Sequence, residues 1–261
     1  AASFQFTVEM ALLPRILEPK ILQIANEIHS IIWSLSYTFG MALSGFVVYM
    51  VGIPSAFLLD AFLFFIALFF IVRLPLDIVM HNERVDRFMT MMKDAVVYLQ
   101  KNTVLVHLMI LHALIGFTAF DALVALAAKE FYAQWFAVSL GIGLVHAARA
   151  LGLSIGPVFL GEWVNNQRLQ WLFLAEAMSI GLWALVIDNF YISLIASVFV
   201  GFVTTTLWSY TYTLLQRHTQ SEYYGRIIAY NDMLFLAVGA FASWLIGFLS
   251  HYISLTGVGL T

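Results

Sequence analysis

The chain has 261 residues, of which 62% are hydrophobic and 10% charged, and its formal net charge is −3. An average soluble domain carries about 25% charged residues, so this composition excludes an ordinary water-soluble globule. The near-neutral charge argues against binding to nucleic acid through phosphate contacts, and the absence of cysteine excludes disulfides and thiolate metal sites.

Seven stretches are apolar and long enough to cross a bilayer as helices of about 20 residues. In chain order, and lettered A to G, they are 22–51, 55–74, 103–128, 134–163, 169–187, 190–215 and 227–252. Two connections, Gly52-Ile53-Pro54 and Asp188-Asn189, are very short. We therefore expect A and B, and likewise E and F, to form antiparallel hairpins.

Lysine and arginine residues indicate the orientation of these spans. Ten of the twelve lie before A or in the B–C, D–E and F–G connections, whereas Lys129 alone lies on the opposite side and Arg149 lies inside D. Short cytoplasmic loops carry an excess of both residues, so the first group of connections is expected in the cytoplasm.

The long B–C connection contains apolar residues at helical spacing, opposite Arg84, Arg87 and Asp94. The apolar set is Val85, Phe88, Met89, Met92, Val96 and Leu99. This pattern predicts an amphipathic helix on the inner membrane surface. The alternative is a solvated linker whose periodicity is accidental.

Several short motifs together resemble the major facilitator superfamily of transporters, and its exporters in particular. They are Ala-Leu-Leu-Pro at 11–14, Ile-Ala-Asn-Glu at 24–27, Ala-Phe-Leu-Leu-Asp-Ala at 56–61, Gly-Leu-Ser-Ile-Gly-Pro at 152–157, and Leu-Leu-Gln at 214–216 followed by Gly225-Arg226. Two positions depart from the family pattern, since 40–45 lacks the proline of the antiporter motif and Asn165 stands where an acidic residue is common.

The resemblance implies a fold of two six-helix halves around a central cavity, with A to G as helices five to eleven. The expected class is an all-α, polytopic membrane helix bundle, an incomplete major facilitator fold with about seven complete spans. Residues 1–74 would belong to the N-terminal half, from the end of helix four. Residues 75–102 would form the cytoplasmic linker, and 103–261 the C-terminal half up to the loop after helix eleven. The expected location is the plasma (inner) membrane.

Small residues form stripes on A, D and G, where helix backbones can approach closely and slide. Under the resemblance these three helices make the contact between the halves. The predicted interface residues are Gly40, Ser44, Gly152, Gly156, Gly239, Ser243 and Gly247. The alternative is tight packing within a static bundle.

Charged residues inside a span cost about 2.5–3.5 kcal/mol each by insertion scales, so each needs an explanation. Asp121 is the predicted proton- or ligand-responsive group, because the resemblance places C on the cavity. Arg149 on D should be paired, but straight spans put it roughly 22 Å below the outer face and Asp121 about 10 Å below it. The two are therefore predicted not to pair, and the counter-ion of Arg149 is expected in helices outside this chain. Asp60 and Glu176 are interpreted as peripheral.

Span F presents Gly201, Thr205, Trp208 and Tyr212 on one helical face, which suits an amphiphilic or aromatic ligand. The alternative for Tyr212 is a role in interhelical hydrogen bonds or an interfacial aromatic belt. The histidines at 107, 112 and 146 are interpreted as ordinary packing or hydrogen-bonding residues.

These patterns predict secondary transport of small organic compounds by alternating access, as export coupled to an ion gradient. The expected partners are a small-molecule substrate, protons as the candidate coupling ion, and the bilayer, with no nucleic acid, cofactor, metal or catalytic residue. A membrane-embedded enzyme using Ser154 or the histidines, and a non-transporting scaffold, are the alternatives. The Gly-x-Ser-x-Gly pattern at 152–156 lies in a membrane helix rather than the strand–turn–helix elbow that a hydrolase requires.

Overall fold

The structure is a computed structural model that describes residues 17–18, 20–73 and 85–260, with the backbone alone at residue 71 and residues 85–89. The described residues form helices and turns with no strand, which confirms the predicted all-α class. The α-helices are α1 Leu22–Val72, α2 Val85–Lys101, α3 Thr103–Gly116, α4 Phe120–Ala127, α5 Val138–Leu160, α6 Leu169–Leu185, α7 Phe190–His218, α8 Tyr224–Leu249 and α9 Leu255–Leu260. A π-helical turn, Ala128–Tyr132, follows α4, and a 3-10 turn, Ser221–Tyr223, precedes α8. The motif at 11–14 and the linker residues 75–84 lie outside the described residues.

Within the described ranges, five helical stretches are long and apolar enough to cross a membrane. They are Leu22–Phe70, Thr103–Tyr132, Val138–Leu160, Phe190–His218 and Ser221–Leu249. The 17 residues of α6 reach only about 25 Å, less than the roughly 30 Å of the hydrocarbon core. These helices indicate a membrane protein, but the predicted count of seven spans is not confirmed, since A and B lie in one long helix and E is short.

Gly52 interrupts α1 where the sequence predicted a turn between A and B. Its φ of 77° and ψ of 168° are not helical, and Pro54, two residues later, lacks the amide hydrogen that would continue the ladder. Beyond this break, Phe57 and Leu58 are 70% and 73% exposed. Within the described part of the chain, residues 57–70 are exposed on every face of the helix. The packed antiparallel pair expected of A and B is therefore not formed.

Backbone contact between α5 and α7 is the closest helix packing in the described bundle. A Cβ atom would lie 1.9 Å from the Val198 carbonyl oxygen if added at Gly152, and 2.0 Å from that of Phe202 if added at Gly156. A Cβ at Gly201 on α7 would lie 1.9 Å from the carbonyl oxygen of Arg149. The small residues of D therefore pack against F, within one predicted half, and not across the halves as the sequence analysis expected.

The first part of α1 does lie along α5, as predicted for spans A and D. Near one end of this contact, a Cβ at Gly45 would be 2.8 Å from the Ser139 carbonyl oxygen. Near the other end, the Gln23 side-chain amide donates to the Gly161 carbonyl over 2.9 Å. The intervening small polar residues Ser30, Ser34 and Thr38 are buried.

The remaining predicted interface positions make little close contact in this conformation. An added Cβ at Gly40 or Gly247 would meet no described atom within 4 Å, and Ser44 and Ser243 are exposed. Gly239 is in ordinary contact, 3.5 Å, with a carbonyl oxygen of α3. The close packing predicted at these five positions is therefore not seen among the described residues.

Helices α6 and α7 form the antiparallel hairpin that the short E–F connection predicted. Thr204 on α7 lies beside Glu176 on α6, with their side-chain oxygens 2.8 Å apart. Farther from the connection, the Tyr210 hydroxyl donates to Asn166 just before α6, over 2.7 Å.

Helix α2 confirms the predicted helix in the B–C connection, and its buried side overlaps the predicted apolar face at Met92 and Leu99, which are half-buried. The side chains of Val85, Phe88 and Met89 lie outside the described part of the structure. Ala95 is fully buried, whereas Val96, a member of the predicted apolar face, is 41% exposed. The Tyr98 ring stacks on Tyr223 with centroids 4.1 Å apart, and Arg226 donates to a carbonyl of α2 over 2.9 Å. The buried side of α2 therefore contacts the start of α8 and the turn before it.

We predict that Gly152→Ala lowers the free energy of unfolding by about 1–3 kcal/mol or more, because the new methyl group overlaps the α7 backbone. Gly247→Ala is the matched control, since it adds the same group in open space. Thermal unfolding of the two purified variants in one detergent measures the difference. Equal stability of both variants would show that α5 and α7 are not in backbone contact.

Candidate functional site

The span predicted as C is interrupted in its middle. Helix α3 ends at Gly116 and α4 begins at Phe120, and between them Ala119 has a φ of 38°. A residue with a side chain in this left-handed conformation costs about 1–3 kcal/mol unless its surroundings hold it. In transporters, interrupted helices of this kind line substrate and ion sites.

Asp121, in the first turn of α4, lies directly after this interruption and contacts two basic residues of α5. Its Oδ1 atom is 3.4 Å from Arg149 Nη1 and 3.6 Å from His146 Nδ1. Within the described part of the chain, the Asp121 side chain is 72% exposed, whereas the side chains of Arg149 and His146 are 14% and 3% exposed. We call these three residues the charged cluster.

The contact between Asp121 and Arg149 shows that the prediction that they are too far apart is wrong. The error lies in where the two helices begin and end. The helical path of C continues through a π-helical turn to Tyr132, and α5 begins at Val138. Asp121 is then eleven residues before Tyr132, where the helical path of C ends, and Arg149 is eleven residues after Val138, where α5 begins. Both therefore lie about 16 Å from the connection between the two helices.

Further contacts join the charged cluster to α1 and to the ring of Phe120. The Tyr37 hydroxyl of α1 lies 3.4 Å from His146 Nδ1, with the donor set by the histidine tautomer. The Arg149 guanidinium carbon lies 4.8 Å from the centre of the Phe120 ring, in cation–π geometry. The Nε atom of Arg149 is buried and makes no hydrogen bond. Three helices, α1, α4 and α5, therefore meet at the side chain of His146.

A second group of side chains surrounds His112 of α3, which is fully buried. Its ring centre lies 4.5 Å from that of Trp208 and 4.6 Å from that of Tyr212, both on α7. His112 Nδ1 lies 2.7 Å from the Thr211 hydroxyl oxygen. The Tyr212 hydroxyl donates to the carboxylate of Asp232 on α8. We call these residues the aromatic cluster.

The structure divides the predicted ligand face of F among several neighbours. Gly201 lies against the α5 backbone, and Trp208 and Tyr212 belong to the aromatic cluster. Thr205 is buried and its hydroxyl makes no hydrogen bond. These residues therefore do not form one open surface, and Asp121 and Arg149 contact other helices.

A shallow apolar hollow of about 180 Å³ lies where α1 and α5 approach each other most closely. Met41, Ser44 and Val48 of α1 and Ile142 of α5 are among the residues that line it. Ser44, one of the predicted interface residues, donates to the Met41 carbonyl there, over 3.0 Å.

Sequence reasoning missed Tyr37, the role of His146, and Asp232. The position of His146 beside Arg149 could have been predicted, because it lies three residues before Arg149 and thus on the same helical face. The interruption at Ala119 had one weak signal, Gly116, which is the last residue of α3 and which the sequence analysis did not use.

Ser154, the serine named in the enzyme alternative, uses its hydroxyl within its own helix. The Ser154 hydroxyl donates to the Ala150 carbonyl of its own helix over 2.9 Å. Among the described residues, no group of three histidine, cysteine or acidic side chains is placed to hold a metal ion.

No protein-family model, curated protein or solved structure matches this chain. The resemblance to the major facilitator superfamily therefore has only the sequence motifs as its support.

We predict that Asp121 and Arg149 couple energetically by at least the roughly 0.2–1 kcal/mol typical of ion pairs exposed to water, because their charged atoms lie 3.4 Å apart. The measurement is a double-mutant cycle of Asp121→Asn, Arg149→Met and the double variant, followed by unfolding in detergent. Arg149→Lys, which keeps the charge, is the control. Strictly additive effects would contradict the contact.

Proposed function

We propose that this chain is part of a secondary transporter that moves small organic compounds across a membrane by alternating access, as export driven by an ion gradient. The observation that carries this proposal is the ion pair between Asp121 and Arg149, located immediately after an interruption in a membrane-length helix. The charged residues that the sequence analysis singled out as pathway candidates are thus in contact with each other.

The ion pair has the properties of a switch. A guanidinium cannot lose its proton under ordinary conditions, whereas a carboxylate can gain one. Protonation of Asp121 removes the negative charge that Arg149 faces over 3.4 Å, so the α4–α5 contact weakens. Because charged groups in hydrocarbon are costly, Arg149 then needs another partner or access to water. A change of protonation is thereby linked to a change of conformation.

The charged cluster also reaches the helix that the resemblance assigns to the other half. Tyr37 of α1 contacts His146, and the same helix packs on α5 at Gly45 and Gly143. A shift of α5 that follows protonation of Asp121 would therefore act on α1 directly. This connection between a titratable group and the contact of two helices is what alternating access requires.

The aromatic cluster, whose His112 and Tyr212 are fully buried in this conformation, has the chemistry expected of a substrate site. Trp208 and Tyr212 offer large rings, and Asp232 and His112 offer polar atoms beside them. Aromatic walls with a few polar groups suit amphiphilic or aromatic organic compounds, and a nearby carboxylate favours those with a positive charge. We propose substrates of this class.

We predict that Asp121→Asn, which mimics the protonated carboxyl, abolishes accumulation driven by a pH gradient while exchange of substrate persists. The full-length protein is reconstituted in proteoliposomes, and uptake of a panel of labelled aromatic amines is measured with and without the gradient. Counterflow of the same compounds reports exchange without the gradient.

Asp188→Asn is the matched control, because it makes the same change in the exposed turn between α6 and α7 and should leave both activities within about twofold of the unmodified protein, as expected of a surface substitution. Uphill transport by Asp121→Asn with an unchanged pH dependence would contradict the role of Asp121. Chemical conversion of the compounds without movement across the membrane would favour the enzyme alternative.

A further inference from the structure

Glu176 of α6 is a buried carboxyl group that the switch described above does not use. The residue is 4% exposed, and its Oε2 atom makes no hydrogen bond. An ionised carboxylate in such surroundings is very costly unless it is paired and hydrogen-bonded. Either Glu176 is neutral or it has a cation for a partner.

The hydrogen bonds of Thr204 decide between these two states. The Thr204 hydroxyl oxygen lies 2.8 Å from Glu176 Oε1 and 2.7 Å from the carbonyl oxygen of Val200. A threonine hydroxyl has a single hydrogen, so it cannot donate to both oxygens. If Glu176 carries a proton, its carboxyl donates to Thr204, and the Thr204 hydrogen is available for Val200. The protonated acid thus satisfies both contacts, and the carboxylate does not.

Arg149 is the cation placed to act on Glu176. Its backbone touches α7 at Gly201, and Thr204, which holds Glu176, lies three residues farther along the same helix, or about 4.5 Å. The Nε atom of Arg149 has no hydrogen bond in this conformation. Its present partner, Asp121, is mostly exposed.

The other elements packed against Glu176 contribute no competing charge. Helices α6 and α9 carry no other charged side chain, and α7, apart from its tyrosines, carries no titratable side chain before Arg217. On α5 the titratable groups are Arg149 and His146, and His146 contacts Asp121.

We infer that Glu176 holds a proton in the conformation seen here and is the second carboxyl partner of Arg149. When Asp121 takes up a proton, the guanidinium passes to Glu176, which releases its own proton. One proton enters at Asp121 and one leaves Glu176, so the net charge is conserved and Arg149 stays paired. This inference rests on the proposed function, because it describes a step of the same switch.

Infrared spectroscopy of the protein in lipid, without substrate or gradient, tests the first part. At neutral pH we expect a carbonyl stretching band of a protonated carboxyl that disappears in Glu176→Gln, which has the same shape as the neutral acid. Glu162→Gln, a matched change at an exposed site, should keep the band. Thr204→Val removes the acceptor of the carboxyl proton and should move the band to higher frequency. Absence of this band from the unmodified protein would overturn the inference.

The same band tests the second part. In Asp121→Asn, Arg149 has lost its first partner, so the Glu176 band at neutral pH should fall at least twofold. A band of unchanged intensity would show that the guanidinium does not pass to Glu176. These spectra do not measure transport, so absence of the Glu176 band would leave the transport proposal standing. If the band is present but the protein does not transport, the proton would still be assigned to Glu176.

Discussion

The cost of placing charge in hydrocarbon is the constraint on which this structure depends. Arg149 cannot become neutral, so a helix bundle that buries it must supply a carboxylate, an aromatic ring or water at the same depth. The chain supplies Asp121 and Phe120, and it can do so because a π-helical turn prolongs the helical path of C to Tyr132, which places Asp121 at the depth of Arg149. The irregular backbone is thus what brings the ion pair together.

Helix α7 organises the remainder of the described bundle. Gly201 of α7 and Gly152 and Gly156 of α5 leave no side chain between the two backbones at these positions. In lipid, such close backbone packing is a main source of helix association. The other sides of α7 carry hydroxyl and amide groups that meet polar partners on three helices: Glu176 at Thr204, His112 at Thr211 and Asn26 at Gln216. Each of these contacts is buried, so each restricts how α7 can move relative to its neighbours.

The sequence predicted what depends on composition and short connections, namely the all-helical class, the E–F hairpin, the contact of α1 with α5 and a helix within the linker. It failed where tertiary packing decides. The sequence analysis ended C at residue 128 and began D at residue 134, whereas the helical path of C reaches Tyr132 and α5 begins at Val138, so straight-helix arithmetic separated Asp121 from Arg149. Gly152 was correctly predicted to be a close-contact residue. A small residue does not indicate which neighbouring helix it contacts, and in the structure that helix is α7. Span B was expected to pack on A, yet its residues other than Ser55, Asp60 and Arg73 are all apolar, so no one face of it selects a partner.

The depth of two positions in the bilayer tests the central claim most directly. Single nitroxide labels at Ala122 and Ala148, next to the ion pair, are introduced through cysteine into a chain that has none of its own. Their immersion is measured from the accessibility to oxygen and to a water-soluble nickel complex. The structure predicts equal depths within about 3 Å, since both positions lie ten residues from the connection between the helices. A difference near 12 Å, the value for uninterrupted spans that end at residue 128 and begin at residue 134, would contradict it.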